Sequence, residues 1–128
     1  MKDSTKDYTI AQFRSYAALG CPSKAQIISD KTMHKALRLD LLAVIDTLNA
    51  LTSSGKNYIC QAVSAVYFVA PTKPLHKGEI NLRVTKFAVN NYIDERTVFR
   101  WLKKARLLCA DYRGLNIGTD KDVSRESS

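Results

Sequence analysis

The stretch EINLRVTKFAVNNYIDERTVFRWLKKARLL, residues 79–108, predicts two helices joined by a tight turn. Apolar residues recur every three or four positions on both sides of a short break at residues 91–93, which is the spacing of a buried helix face. Asp94 is suited to the N-cap of the second helix, and Gly114 is placed to end it near Arg113. The predicted inward residues are Ile80, Val84, Phe87, Ala88, Val98, Trp101, Leu102 and Ala105.

This pair of helices meets the requirements of a DNA-binding helix-turn-helix unit. Such a unit needs a small residue where the helices cross and an apolar residue that fills the angle between them, and Ala88 and Ile93 supply these. The first turn of its second helix should be polar and point outward, because those side chains enter the major groove. Tyr92 departs from the pattern, since many such turns carry glycine there and a positive φ would strain tyrosine.

The outward residues of the unit are predicted to divide between base reading and phosphate binding. Arg96 and Arg100 lie four positions apart on one face, and the planar fork of arginine can pair with guanine O6 and N7. Glu95 can accept from the amino group of cytosine. The predicted base-reading residues are Glu95, Arg96, Thr97 and Arg100, and the predicted phosphate-binding residues are Arg83, Lys86, Lys103 and Lys104, with Arg106 continuing the same basic run.

Two aromatic residues of the second helix are interpreted separately. Trp101 shares a face with Val98 and Ala105, so we expect it in the core rather than stacked on a base. Phe99 is predicted either to lie half-exposed or to pack against the N-terminal half of the chain.

Positive charge is concentrated in the same region. The formal net charge is +8, and between Lys73 and Arg106 the chain has nine Lys or Arg against three acidic residues, a surplus of six. Charge of that density favours a polyanion such as double-stranded DNA, bound with salt-dependent affinity. The alternative is a basic protein whose charged face is only solvated. The basic loop Thr72–Lys77 is open to the same two interpretations.

The residues before this unit predict further helices. Residues 9–19 form a helical pattern that Thr9 can cap, and Ser23 begins either a short helix or a loop. Residues 31–52 have the strongest amphipathic pattern, which favours an intramolecular core over the seam of a coiled-coil dimer. Residues 57–69 are apolar on nearly all sides, and we predict a buried central helix rather than a strand.

These elements predict an all-α fold, a helical bundle of about five helices with the helix-turn-helix unit at its C-terminal end. In the predicted organisation, residues 1–55 form N-terminal helices that pack on the unit or dimerise, and residues 56–115 form the three-helix unit. Residues 116–128 have almost no apolar content and are predicted to be a flexible tail. We expect one compact domain.

The sequence lacks the residues that several classes of protein require. The three cysteines are far apart and the two histidines are not spaced as ligands beside them, so we expect no metal and no cofactor. No acidic cluster, Ser/His/Asp set or Cys–His pair suggests an active site, so we expect no enzyme. The first ten residues do not resemble a signal peptide, and the most apolar run is too short for a bilayer. We therefore expect a cytoplasmic, nucleoid-associated protein with no membrane partner.

The segment IDERTVFRWLKKA, residues 93–105, resembles the helix-turn-helix signature of bacterial and phage transcription regulators. That signature has an apolar residue, a capping side chain and a Glu/Arg-Thr-Val-x-Arg-Trp core, and it is also similar to region 4 of sigma factors. The small basic chain most resembles the phage late-gene regulators ArpU and RinA, whose matching helix runs into a Lys-Lys-Ala-like segment. The resemblance covers residues 84–108. It implies base-reading positions for Glu95, Arg96, Thr97 and Arg100.

The expected function is therefore sequence-specific DNA binding in transcription regulation. One alternative is a protein-interaction module, such as a sigma-like or RNA polymerase-binding factor, that uses the apolar stripe of residues 37–51 as its contact surface. Another is an enzyme, such as a recombinase or transposase, that carries this kind of motif, and the lack of a catalytic set argues against it. A homodimer is compatible with DNA binding.

Overall fold

The computed structural model describes residues 4–115 and contains six helices and no strand over that range. The prediction of an all-α fold is confirmed. The predicted tail, residues 116–128, lies outside the described residues. The helices are α1 (Ser4–Ala18), α2 (Lys24–Ser29), α3 (Lys35–Ser53), α4 (Asn57–Tyr67), α5 (Glu79–Asn90) and α6 (Glu95–Arg113).

α1 begins earlier than its sequence pattern predicts. It already includes Ser4, and Thr9 lies inside the helix rather than at its cap. The Thr9 hydroxyl donates to the carbonyls of Thr5 and Lys6, at 2.9 and 3.0 Å, which is an interaction of a helix interior. The residues before Thr9 are helical although they lack apolar periodicity, and for that reason the pattern did not reveal them.

Side-chain caps decide where α2 and α3 begin. Ser23 forms a capping box at the start of α2, so the segment that the sequence left open between helix and loop is a helix. α3 begins at Lys35, later than the predicted residue 31. Its N-cap is His34, whose Nδ1 accepts from the N–H of Ala36 at 3.2 Å.

One hydrophobic core joins α1, α3, α4, α5 and α6. α4 buries one face in it, at Ile59, Ala62, Val63, Val66 and Tyr67. Its other face is exposed, at Asn57, Tyr58, Gln61 and Ser64, so the prediction of a helix is correct but the prediction of burial on nearly all sides is not. Among the described helices, α3 and α6 make the most extensive contact. Small side chains allow these two backbones to approach closely. The small buried residues of α3 and α6 are Ala43, Thr47, Ala105, Cys109 and Ala110.

The long amphipathic stripe of α3 packs inside the chain. Leu41, Val44 and Leu51 are buried, and Leu37 and Leu48 are partly buried against the hydrophobic clusters. The interpretation of this stripe as intramolecular core is therefore confirmed. Because it is covered by the protein's own helices, it is not exposed as a contact surface for a second protein.

Cys109 of α6 is fully buried, and this burial raises the pKa of its thiol to about 12. Since the folded pKa lies above the ordinary value of 9.0, the stabilisation that the neutral thiol contributes is present below about pH 9 and is lost as the pH rises toward 12. The buried thiol should also be unreactive at neutral pH, because only the thiolate is a nucleophile.

We expect Cys109, kept as the sole cysteine by Cys21→Ser and Cys60→Ser, to react with an aromatic disulfide reagent at least ~100-fold more slowly in the folded chain than in urea. Absorbance of the released thiol at about pH 8 measures both rates. A chain in which Cys21 is the sole cysteine is the control, because that residue is exposed and should react at similar rates in both states. Equal rates for Cys109 in both states would contradict its burial.

A polar cluster around Asp40 joins α1, α3 and α6. Its Oδ1 accepts from Arg113 Nε at 2.6 Å and from the Tyr8 hydroxyl at 2.7 Å. Gln12 donates to the Asp40 backbone carbonyl at 3.3 Å. The hydrogen bond to Asp40 raises the pKa of both the Tyr8 hydroxyl and the Arg113 guanidinium. The cluster therefore holds the C-terminal end of α6 against the N-terminal helices.

Arg14 of α1 holds the loop that connects α4 to α5. Its buried guanidinium donates to the backbone carbonyls of Tyr67, Val69, Ala70 and Lys73, an arrangement we call the Arg14 clamp. Burial lowers the pKa of Arg14. Within the clamp, Ala70 has a φ of +45°, a conformation that non-glycine residues seldom adopt. The clamp therefore holds the backbone of this loop in place, including the strained conformation of Ala70.

The same two backbone hydrogen bonds close the C-terminal ends of α1, α3, α5 and α6. At each end they enclose one residue in the left-handed conformation. After α1, α3 and α6 the left-handed residue is a glycine, at Gly20, Gly55 and Gly114. After α5 it is Tyr92, with a φ of +56°. There the Ile93 N–H donates to the Ala88 carbonyl at 2.9 Å. Because Tyr92 is 97% exposed, side-chain packing does not offset this strain.

Tyr92→Gly is expected to raise the free energy of unfolding by about 0.5–1 kcal/mol. The left-handed conformation costs a non-glycine residue roughly 1–2 kcal/mol, and the greater freedom of glycine in the unfolded chain cancels part of the gain. Tyr92→Ala keeps the strain and should leave the stability nearly unchanged. Urea denaturation of the parent protein and of the two variants measures their free energies of unfolding. An alanine variant as stable as the glycine variant would contradict the prediction.

Candidate nucleic-acid interface

The turn between α5 and α6 sets the direction in which α6 begins. The carboxylate of Asp94 accepts from the Arg96 N–H at 3.1 Å, which confirms Asp94 as the N-cap. Ile93 is partly buried against the core just before this cap, and Val98 is fully buried just after it. These contacts anchor the inner side of α6 and leave the other side of its first turn exposed.

Three of the four predicted base-reading residues are exposed on this part of α6. They are Glu95, Arg96 and Arg100, and the first two line a shallow groove. Thr97 is partly buried, and its hydroxyl accepts from the guanidinium of Arg100 at 3.1 Å. The geometry therefore gives Thr97 a positioning role toward Arg100.

A second groove continues along α6. Arg100, Lys103 and Lys104 line it together with Leu107, Leu108 and Asp111, and both lysines are exposed. Their spacing of three and four positions places them on the face that Arg96 begins. We call these four residues, Arg96, Arg100, Lys103 and Lys104, the outer face of α6.

Lys56, in the turn before α4, adds a cation that the sequence did not reveal. Its contact with Lys104, together with its positive charge, lowers the pKa of the Lys104 ammonium. Two neighbouring cations attract a phosphate, because the anion relieves their mutual repulsion. Since the two lysines are far apart in the chain, only the packing of α4 against α6 brings them together.

The cations of the outer face of α6 have no acidic partner within the described part of the chain. The ion pairs found among residues 4–115 are Lys24–Asp46, Glu79–Arg83 and Asp40–Arg113. None of these pairs includes a residue of the outer face. Cations that are not held in ion pairs can bind a polyanion, although Asp94 and Glu95 line the groove of Arg96 and Asp111 lines that of the two lysines.

The two predicted phosphate-binding residues of α5 have different surroundings. Arg83 pairs with Glu79 and donates to the Val66 carbonyl at 2.8 Å, and its side chain is only 12% exposed. Its charge is therefore already compensated, and the geometry gives it a structural role between α5 and α4. Lys86 is exposed and lines a separate cavity that Ala65 of α4 also lines.

Three further residues of α6 have distinct positions. Trp101 is partly buried against the core, with its ring centroid 4.8 Å from that of Tyr58, as expected for a core residue. Arg106 donates to the Tyr67 hydroxyl at 3.0 Å and so bonds to α4 rather than joining the outer face. Phe99 is half-exposed, which is one of the two alternatives that the sequence left open.

In the described range, residues 4–115, no three His, Cys, Asp or Glu side chains come together as metal ligands. No helix of that range is long and apolar enough to cross a membrane. The loop Thr72–Lys77 exposes both of its lysines, and the Arg14 clamp holds it at the carbonyl of Lys73.

No protein-family model, no curated protein and no solved structure matches the chain. The features that point to a function are α5, the turn, α6 and the charge that they carry.

Proposed function

We propose that the protein binds double-stranded DNA sequence-specifically and regulates transcription, with α6 docked in the major groove. In this proposal Arg96 and Arg100 contact guanine edges, and Glu95 accepts from a cytosine amino group. Lys103 and Lys104 contact phosphates. Base contacts supply discrimination between sequences, and phosphate contacts supply affinity and register.

The observation that carries the proposal is the outer face of α6, where four exposed cations lie together without an acidic partner among residues 4–115. The face begins at a capped helix start directly after a tight turn, an arrangement suited to placing the first turn of a helix in a groove. Lys56 and Lys86 extend the positive surface to neighbouring helices. The charge surplus of six between Lys73 and Arg106 supports the same partner.

Selection of the full chain on random duplex DNA, followed by a salt titration on the selected site, tests the proposal. We expect an enriched site that contains guanines, and an affinity that falls with salt at a log–log slope of about −3 to −5 for the few phosphates contacted. Two inverted half-sites one helical turn apart would indicate a homodimer on DNA, and a single half-site would indicate a monomer. If no site is enriched, the proposal is wrong.

We assign Tyr92 to the same DNA-binding surface, because backbone strain that side-chain packing does not offset is a feature of functional sites. Its exposed hydroxyl, in the turn before α6, can donate to a phosphate. Tyr92→Gly should therefore bind the selected site more weakly although its fold is more stable. Unchanged or tighter binding would remove Tyr92 from the interface.

A second candidate is a protein-binding module that contacts RNA polymerase through α5. Among the described helices, α5 contacts only α4 and α6, and Leu82 and Val89 are largely exposed on it seven positions apart. This surface, unlike the buried stripe of α3, is open to a partner. The candidate predicts no selected DNA site, together with binding to purified RNA polymerase that Leu82→Asp abolishes.

A further inference from the structure

Phe99 places an apolar ring within the charged outer face of α6. It lies three positions after Arg96, four before Lys103 and next to Arg100, so it shares their side of the helix. It is 39% exposed. A ring in this position is too exposed to be a core residue. It also carries no charge that would attract a polyanion to the face.

Neighbouring residues cover part of the Phe99 ring. It lines the groove next to the turn, together with Val89, Ile93 and Arg96. A ring that is already partly packed has little side-chain entropy left to lose when a ligand covers it. The ligand group that fits it best is a small apolar one, carried by the same molecule that the flanking arginines bind.

We infer that Phe99 recognises thymine through the C5-methyl group. The inference rests on the proposed function and names a base that the site requires. In the major groove, thymine is the base that presents a methyl group, and apolar side chains including phenylalanine contact it. Because Arg96 and Arg100 flank Phe99 and favour guanine, the selected site should contain a thymine close to those guanines.

Replacing each thymine of the selected site by uracil, one at a time, tests this inference, because uracil lacks only the methyl group. One buried methyl group corresponds to a factor of about four in affinity. We expect one thymine whose replacement weakens binding of the parent protein about fourfold, and equal binding of both DNAs by Phe99→Ala. The control is Tyr112→Ala, another exposed aromatic residue about 20 Å further along α6, which should keep the fourfold preference.

The possible results distinguish thymine recognition by Phe99 from DNA binding itself. A selected site at which no uracil weakens binding overturns the inference and leaves DNA binding intact. A uracil penalty that persists in Phe99→Ala also overturns it. Failure to select any site overturns both proposals. If Phe99→Ala loses its helical signal, Phe99→Gln replaces it, because glutamine keeps much of the volume with a polar end, and it too should bind both DNAs equally.

Discussion

Replacing Arg14 by methionine should lower the free energy of unfolding by about 3 kcal/mol. The guanidinium donates to four carbonyls between Tyr67 and Lys73. Methionine keeps much of the apolar side chain and none of the donors. The carbonyls can then regain partners only from water, which can enter from the open cavity that Arg14, Pro71 and Lys73 line.

Urea denaturation followed by circular dichroism measures the effect of Arg14→Met. Lys73→Met is the matched control, because it removes a charge from the same loop and leaves the backbone carbonyl in the clamp; its stability should stay within about 0.5 kcal/mol of the parent. Arg14→Lys should show an intermediate loss, since one ammonium cannot reach all four carbonyls. Equal losses in Arg14→Met and Lys73→Met would show that the clamp does not hold the loop.

Arg100→Ala should remove about 1–3 kcal/mol of discrimination at one base pair of the selected DNA site. The physical reason is the loss of a planar pair of donors from the exposed outer face of α6. Affinity for unrelated DNA should change much less. Competition binding with single-base variants of the site measures this. A uniform weakening across all sequences would mean that Arg100 contacts phosphate instead.

Thr97→Val tests how Arg100 is held. Valine keeps the shape of threonine and removes the hydroxyl that accepts from the Arg100 guanidinium at 3.1 Å. We expect part of the Arg100→Ala loss, at the same base pair, because the guanidinium becomes less well oriented. A loss at a different base pair would instead indicate that Thr97 contacts the DNA directly.

Lys104→Ala should weaken binding to selected and unrelated DNA alike and reduce the salt slope by about one. Lys56→Ala should do the same, and the double variant should lose less than the sum, because the two ammonium groups would share one phosphate. The control is Lys24→Ala, an exposed lysine of α2 that pairs with Asp46. A sequence-dependent effect of Lys104→Ala would contradict its assignment to phosphate.

The bounds of α5, the cap and end of α6 and the burial of the α3 stripe were all predictable from short stretches of sequence. The reason is that each depends on groups within one or two helical turns. Apolar spacing decides the buried face, and the side chains and glycines at helix ends decide the caps. The start of α1 was not predictable in this way, because its first residues carry neither an apolar stripe nor a recognised cap.

The side chains of the candidate site were predictable in part. The first two turns of α6 have the exposed arginines that their pattern implies, Arg96 and Arg100, and Trp101 lies against the core. Arg83 and Arg106, however, look like further members of the basic run in the sequence, whereas in the fold they donate to the Val66 carbonyl and the Tyr67 hydroxyl of α4. Helical periodicity gives the angular position of a side chain, but it does not reveal which helix packs beside it.

The local features of this protein were therefore predictable from its sequence. They are the all-α chain, the positions of most helices, the basic C-terminal pair of helices and the unusual tyrosine in their turn. What is long-range came only from the tertiary structure: the Arg14 clamp, the Lys56–Lys104 pair and the choice between the two positions predicted for Phe99. The physical reason is that a hydrogen bond, a repulsion between charges or the burial of a ring depends on atoms brought together by packing, and their separation along the chain does not encode that proximity.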